Sequence, residues 1–207
     1  MKVTGEATLH APIERVWQAL NDPAVLVRTI PGCQRLEATG PDSYAMTVTA
    51  GVASIKGTYS GEVKLRDQQP PASFVMSAAG AGAPGTLSTE VQVCLSEVDG
   101  GTRLTYDADA LIGGMIGGVG QRMLAGVAKK TAGEFFAAVD DVLTGKAVTA
   151  PAVETAEGVF VAPPKRPRPA REGFLSGALV GAAIALAGVV VGAVLGRRRG
   201  ADPESSL

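Results

Sequence analysis

Histidine and cysteine are scarce in this 207-residue chain, which holds one histidine and two cysteines. A zinc site needs several such ligands close together, and none of the usual spacings is present. Cys33 and Cys94 are too few and too far apart for a disulfide framework, so we expect two reduced residues. His10 has no second histidine beside it, and neither cysteine has a basic neighbour in sequence. We therefore predict no metal, no catalytic residue and no covalent cofactor, which argues against an enzyme.

A basic stripe is also missing. Residues 1–145 contain eleven Lys/Arg and fifteen Asp/Glu, whereas residues 146–207 contain eight and five. An acidic N-terminal part has too few cations to neutralise phosphates, so we exclude nucleic acid as a partner. The basic residues near the C-terminus instead suit an anionic lipid surface.

Charged side chains are absent from Phe174 to Gly196. A helix of about 20 apolar residues crosses a bilayer core of about 30 Å, and this run is long enough. We predict a single-pass transmembrane anchor over residues 173–196, followed by a short basic and polar tail over 197–207. The alternative is a buried or partner helix in a larger complex.

The start of the chain has no apolar core of signal-peptide length. We therefore expect the N-terminal part to lie on the cytosolic side of the cytoplasmic membrane. Within the predicted anchor, small residues recur four apart and would allow close helix packing in a homodimer. These glycines are Gly177, Gly181, Gly188 and Gly192.

Residues 146–172 are rich in proline and poor in bulky apolar side chains. Such a stretch buries too little to order itself, so we predict a disordered tether with a reach of up to about 80 Å. Its one apolar cluster, residues 158–161, is either a docking peptide or a patch that lies on the folded domain.

Residues 1–145 are predicted to form one α+β domain. A strand from Val3 to Leu9 precedes two short helices, which begin near Pro12 and Pro23. Apolar residues then alternate with polar or small ones through five runs with short turns, which indicates an antiparallel meander. A long amphipathic helix from about Gly117 to Leu143 would lie across this sheet.

A curved sheet covered by one helix has surplus apolar surface, which either packs as a solid core or encloses a pocket. We predict that the side chains facing this space line a ligand pocket. Methionines adapt to an irregular apolar ligand, and tyrosine hydroxyls can donate a hydrogen bond to a ligand carbonyl. Trp17 and Leu26 are placed at its entrance. The others are Tyr44, Met46, Tyr59, Phe74, Met76, Tyr106, Met123 and Phe135.

Two further motifs have structural rather than functional interpretations. Gly80-Ala-Gly82-Ala-Pro-Gly85 matches G-x-G-x-x-G, but it leads into a strand instead of a helix, so we predict a hairpin. Asp107 and Asp109 alternate with apolar residues, so we place them on a solvated face and not in an acid–base pair.

Several motifs resemble a known family. Ala11-Pro12-Ile13-Glu14-Arg15-Val16-Trp17 and Ile30-Pro31-Gly32-Cys33 are similar to the opening of START/Bet v 1-like (SRPBCC) proteins, which have the helix-grip fold. Gly57-Thr-Tyr-Ser-Gly61, Gly101-Thr-Arg-Leu-Thr-Tyr106 and the glycines from Gly113 to Gly120 resemble more narrowly the family of the carbon monoxide dehydrogenase G subunit. The resemblance covers residues 1 to about 144.

The resemblance implies a helix-grip domain that serves a molybdenum hydroxylase, above all carbon monoxide dehydrogenase, as an accessory protein at the membrane. Together with the predicted anchor and apolar face, it suggests a bound respiratory quinone, either menaquinone or ubiquinone. The alternative is a ligand-free adaptor that only recruits the dehydrogenase to membrane lipid.

Overall fold

The computed structural model describes residues 1–146, 153–156 and 158–163, with 153–156 described by their backbone alone. The predicted anchor, its glycine face and the tail lie outside the described residues. Among those that are described, no helix is both long and apolar enough to span a bilayer. Met1–Pro164 form one compact unit.

One antiparallel sheet holds every described strand, in the spatial order β1-β7-β6-β5-β4-β3-β2-β9-β8. The strands are β1 (Lys2–Leu9), β2 (Cys33–Gly40), β3 (Ser43–Val52), β4 (Ile55–Gln69), β5 (Ser73–Gly82), β6 (Gly85–Val98), β7 (Gly101–Gly114), β8 (Val153–Ala156) and β9 (Val159–Val161). The helices are α1 (Ile13–Asn21), α2 (Pro23–Thr29) and α3 (Gln121–Leu143). A curved antiparallel sheet with one long helix agrees with the helix-grip architecture that the resemblance implies.

The predicted proline positions do begin the two short helices. Pro12 precedes the first residue of α1, and Pro23 opens α2, where its missing N–H costs no hydrogen bond. The Asp22 carboxylate accepts a hydrogen bond from the Ala24 backbone N–H at 2.8 Å and so caps α2. On the sheet side, the buried Thr102 hydroxyl donates to the Ala11 carbonyl at 2.8 Å and fixes the entry to α1.

Strand β2 is missing from the sequence prediction because its apolar residues do not alternate regularly. Only Cys33 and Leu36 are buried along its eight residues. The register against β3 shifts between Cys33 and Arg35 and again between Ala38 and Gly40. Each bulge inserts a residue that moves the following side chains to the other face, which hides the period of two.

The predicted long helix begins later than the sequence indicates. Residues Met115–Val119 form a 3-10 helix, and α3 proper starts at Gln121. Gly120 between them has φ of +99°, a conformation that only glycine adopts easily, and this residue turns the chain from one helix into the next.

The main core lies where α1 and the C-terminal half of α3 cover the sheet. Val16, Leu104 and Val139 are fully buried there. A second, smaller cluster forms around Val27 of α2 and Leu36 of β2. The two clusters divide the domain into a tightly packed side and a looser side.

Part of the predicted tether belongs to the folded sheet. Strand β9 pairs antiparallel with β2, with Phe160 opposite Leu36, and β8 pairs with β9. The Ala38 N–H donates to the Gly158 carbonyl at 2.9 Å, and the Ala162 N–H donates to the Gln34 carbonyl at 3.1 Å. Of the two alternatives for residues 158–161, the structure therefore shows a patch that lies on the domain.

His10 has a structural role that its isolation in sequence did not reveal. Its backbone N–H donates to Asp140 Oδ1 at 2.6 Å, and its ring Nδ1 lies 3.0 Å from Asp140 Oδ2. Burial raises the pKa of the Asp140 carboxyl, but the hydrogen bonds from His10 and the charges of His10 and Lys146 outweigh it and hold that pKa below its usual range. This clamp joins the end of β1 to the last turn of α3.

We expect Asp140→Asn to lower the free energy of unfolding by about 2 kcal/mol at pH 7, because charge-assisted hydrogen bonds are lost. A carboxylate with a lowered pKa stabilises the fold above its unfolded pKa of about 3.9, and this contribution disappears as the pH falls through the lower folded value. Urea unfolding should therefore show a difference in unfolding free energy between variant and wild type that shrinks as the pH falls below about 3.9 and through the lowered folded pKa. The exposed neighbour gives the control, Asp141→Asn, which should show no such gap.

We expect Phe160→Ala to release β9 from β2, because the ring is the apolar contact that holds this short strand on the second cluster. Hydrogen exchange at the Ala38 and Ala162 amides should quicken at least about tenfold, while exchange in β6 and β7 stays unchanged. Val161→Ala is the matched control, since Val161 pairs with exposed Arg35 and faces the other side. Equal exchange in both variants would contradict this role for the ring.

Candidate functional site: the concave face of the sheet

The concave face of the sheet has a floor of small residues at its centre. Register places Ala78 opposite Val63, Gly80 opposite Gly61, and Gly82 opposite Tyr59. At Gly61 a Cβ atom would lie 2.2 Å from the Ala79 carbonyl oxygen, so glycine is required for the close approach of β4 and β5. Because small side chains fill little volume, this part of the face lies lower than the bulky residues around it.

Larger apolar side chains surround this floor. Alternate residues of β4 from Ile55 to Leu65 are partly buried, and the residues between them are exposed, so one face of the strand is apolar and the other is wet. Strand β3 shows a less regular pattern, with Tyr44 and Met46 both partly buried. The period of two therefore places the predicted tyrosines and methionines of the strands on one face, as expected.

Five of the ten predicted pocket residues pack with the main core. Phe74 is 6% exposed and meets Trp17 edge to face, with ring centroids 5.6 Å apart. Met76, Tyr106 and Phe135 are partly buried against this core, as is Trp17. These five side chains line the closed side of the concave face.

Three further predicted residues lie on the looser side. Leu26, Tyr44 and Met46 pack around the second cluster, where Phe160 of β9 joins them. Tyr59 is partly buried at the small-residue floor. Met123 is 50% exposed in the first turn of α3, so it lies at the open margin of the face. The structure thus divides eight of the ten predicted residues between two packed clusters and leaves Tyr59 and Met123 outside both.

The hydroxyls of Tyr44, Tyr59 and Tyr106 bond to no other described residue, and none of them is buried without a partner, so solvent reaches all three. The Tyr106 hydroxyl lies over Gly5 of β1, where an added Cβ atom would come within 2.5 Å of it. Burial raises the pKa of Tyr106, and burial together with the charges of Asp42 and Asp22 raises the pKa of Tyr44. Both phenols therefore stay protonated at neutral pH and are available as hydrogen-bond donors. A ligand carbonyl is the chemical group that such donors suit best.

Sequence reasoning missed two aromatic residues that help to form the site. Phe136 lies with its ring centroid 5.8 Å from that of Tyr106 and 5.1 Å from that of Phe135. It follows Phe135 directly in α3, and helical spacing alone did not show that both rings pack against the main core. Phe160 was noted only as part of an apolar cluster, because nothing local signals its pairing with a strand far earlier in the chain.

Two shallow hollows in the described part of the chain lie beside the concave face. One, of about 340 Å³, is at the turn between β6 and β7 and includes His10 and Pro12. The other, of about 330 Å³, lies between β1 and α3 and is bordered by Tyr106, Phe136 and Lys129. Both are open to solvent, and neither contains the small-residue floor.

The remaining sequence motifs have the structural roles predicted for them. Gly82 to Gly85 form the hairpin between β5 and β6, and Asp107 and Asp109 are exposed. Cys33 is a buried free thiol whose pKa burial raises to about 11, whereas Cys94 is exposed. Within the described ranges, no three His, Cys, Asp or Glu side chains come together as metal ligands.

Solved structures of related shape were found in several bacteria. A conserved protein from Geobacillus kaustophilus is 34% identical with a TM-score of 0.68, over 70% of this chain and 97% of that one. An aromatase/cyclase from Streptomyces sp. R1128 is 17% identical with a TM-score of 0.51, over 70% and 94%. A Thermus thermophilus protein is 15% identical with a TM-score of 0.55, over 71% and 99%.

The two distant structures share the fold alone, and they confirm the helix-grip architecture. No curated protein sequence matches the chain. The family model of the carbon monoxide dehydrogenase G subunit (CoxG) matches residues 5–144, which is most of the chain and nearly all of the described domain. This protein therefore belongs to the CoxG family of carbon monoxide dehydrogenase subunits.

Proposed function

We propose that this protein is a membrane-tethered accessory protein of a carbon monoxide dehydrogenase or a related molybdenum hydroxylase, and that its folded domain carries a respiratory quinone. The family description names a subunit of carbon monoxide dehydrogenase, which supports the choice of partner enzyme. The observation that carries the ligand part of the proposal is the apolar concave face that α3 leaves partly uncovered.

The chemistry of electron transfer explains why such a carrier would be useful. A soluble dehydrogenase must deliver electrons to a respiratory acceptor, and quinones with long isoprenoid tails are confined to lipid. A domain that shields the tail and is anchored by residues 173–196 at the cytoplasmic membrane would let the quinone reach the enzyme. In this arrangement the domain is on the cytosolic side and catalyses no reaction itself.

The concave face fits the two parts of a quinone. Its small-residue floor and the methionines beside it suit an isoprenoid chain of irregular shape. The solvent-accessible hydroxyls of Tyr44 and Tyr59 are donors that suit the two ring carbonyls. Menaquinone and ubiquinone both present these groups, so the geometry favours the class of ligand rather than one member.

A second candidate is an adaptor that binds the dehydrogenase and membrane lipid without carrying a ligand. Two observations favour it. Phe74 and Trp17 pack against each other as ordinary core, and both hollows described above lie outside the concave floor. The two candidates differ in whether quinone travels with the purified protein.

We expect Ala78→Phe to reduce the quinone that copurifies with the protein by about tenfold or more, because a ring on the floor overfills the ligand space. Mass spectrometry of lipid extracts measures this amount. Ala79→Phe is the matched control, since Ala79 is exposed on the opposite face of the same strand. Quinone absent from the wild-type protein as well would overturn the carrier and leave the adaptor.

We expect deletion of residues 174–207 to move the protein from the membrane fraction to the supernatant, because the predicted anchor is removed. The dehydrogenase should follow it into the supernatant when both are produced together. Immunoblots of fractionated cells, compared with a variant that lacks only residues 200–207, measure the effect. A truncated protein that still sediments with membranes would contradict anchoring by this segment.

A further inference from the structure

Three loops meet at one end of the sheet. Pro84, in the hairpin between β5 and β6, accepts a hydrogen bond from the Ile116 N–H at 3.2 Å. On its other side, a Cβ atom at Gly57 would lie 2.5 Å from the Pro84 ring, so the hairpin between β3 and β4 touches it as well. We call this region the open end and define it as residues 50–57, 80–88 and 110–123.

Every large hydrophobic side chain that is exposed in the described domain belongs to the open end. Leu87 is 38% exposed, Met123 is 50%, Met115 is 65% and Leu111 is 75%. Single exposed apolar residues are normal on protein surfaces, but their confinement to one end indicates an interaction surface. Leu111 lies on the outer face of β7 and Leu87 on the concave side of β6, so exposed apolar side chains lie on both faces of the sheet at this end.

Charge is distributed just as unevenly. Residues 1–145 contain eleven Lys/Arg and fifteen Asp/Glu, yet the open end holds only Lys56 and Arg122 and no acidic residue. An acidic domain therefore has one end that is apolar, free of carboxylates and weakly basic. Neutral or basic surfaces with apolar tips suit an anionic lipid surface, where methionine and leucine enter the headgroup region and cations meet phosphates.

We propose that the open end of the domain seats on an anionic lipid bilayer, with Met115 and Met123 inserted among the headgroups. This inference rests on the proposed function, because a domain seated in this way opens its concave face toward the membrane from which a quinone would enter. The contact is separate from the predicted anchor, since it belongs to the folded domain itself. It fixes the orientation of a domain that the anchor alone would leave free to rotate.

A fluorescent probe at Met115 tests the contact directly. Full-length protein with Cys94→Ser and Met115→Cys is labelled with an environment-sensitive maleimide and reconstituted into vesicles of phosphatidylcholine with phosphatidylglycerol. Cys33 is buried and does not compete for the reagent. The matched probe is Asp99→Cys, in the turn between β6 and β7, because this turn lies at the opposite end of the same strand pair. Nitroxide-labelled lipid then reports the depth of each probe.

We expect lipid nitroxide to quench the probe at residue 115 and to leave the probe at residue 99 unchanged. Quenching should fall about fivefold or more in vesicles of phosphatidylcholine alone, because the attraction to Lys56 and Arg122 is lost. Equal quenching at both ends of a protein that stays on the vesicles would overturn the seating and leave anchoring intact. The probe at residue 115 could instead become protected from solvent only after the dehydrogenase is added, with no quenching by lipid. That result would make the open end a protein-docking surface and overturn the proposal.

Substitution of the inserted side chains provides a second measurement. With the probe at Leu111→Cys, the pair Met115→Glu and Met123→Glu should abolish lipid quenching, whereas Gln69→Glu and Ser96→Glu add the same charge at the opposite end and should not. The exposed methionines contribute little to the core, so the variant is expected to fold. If the protein washes off the vesicles, that result contradicts anchoring by residues 173–196. Lipid quenching measured before the wash still tests the seating of the open end. Unchanged quenching in the methionine variant would overturn the proposal.

Discussion

The incomplete cover that α3 gives to the concave face is the constraint on which the rest of this structure depends. Val139 near the C-terminal end of the helix is fully buried, whereas Met123 near its start is half exposed. Leu124, the next residue, is buried, so the first turn of α3 is packed on one side and exposed on the other. At this end of the concave face, alternate residues of β4 are only partly buried and Leu87 of β6 is exposed.

Two contacts outside the main core keep this asymmetric arrangement in place. The His10–Asp140 clamp ties the last turn of α3 to the end of β1, which fixes the closed side. On the far side, β9 covers the edge of β2 and brings Phe160 onto the second cluster. An uncovered edge strand is a site for unwanted pairing with other chains, so β9 also protects the sheet. The middle of the concave face lies between these fixed margins and is lined by small and partly buried residues of β4 and β5.

The sequence predicts the sheet and its inner face well, because the period of two is a local property of each strand. Tyr59 and Met76 were placed on the correct face for this reason. Strand β2 was missed, since two bulges remove the alternation on which the prediction depends. The sequence prediction starts the long helix too early, because the glycine-rich run from Gly113 to Gly120 contains no signal for where the helical hydrogen bonds begin.

Long-range pairings were beyond the reach of sequence patterns. The clamp joins residues 130 positions apart, and β9 pairs with a strand more than 120 positions away, so neither leaves a local signal. The division of the predicted pocket residues between two clusters depends on how the sheet curves and where α3 lies on it. The patterns therefore identify which side chains face inward, whereas only the packing shows which of them touch.

Stability and ligand capacity make opposite demands on the concave face. Filling the floor at Ala78 and Gly80 with larger apolar side chains would bury more surface, and a domain selected for stability alone would be expected to do so. At Gly61, however, the close approach of two backbones excludes any Cβ, so one part of the floor stays small for purely structural reasons. Ala78 and Gly80 are therefore the positions that distinguish a demand for stability from a demand for ligand space. At Gly80 the nearest atoms leave room for a methyl group. Small residues at positions where the fold admits larger ones agree with the hydrophobic ligand of the proposed function.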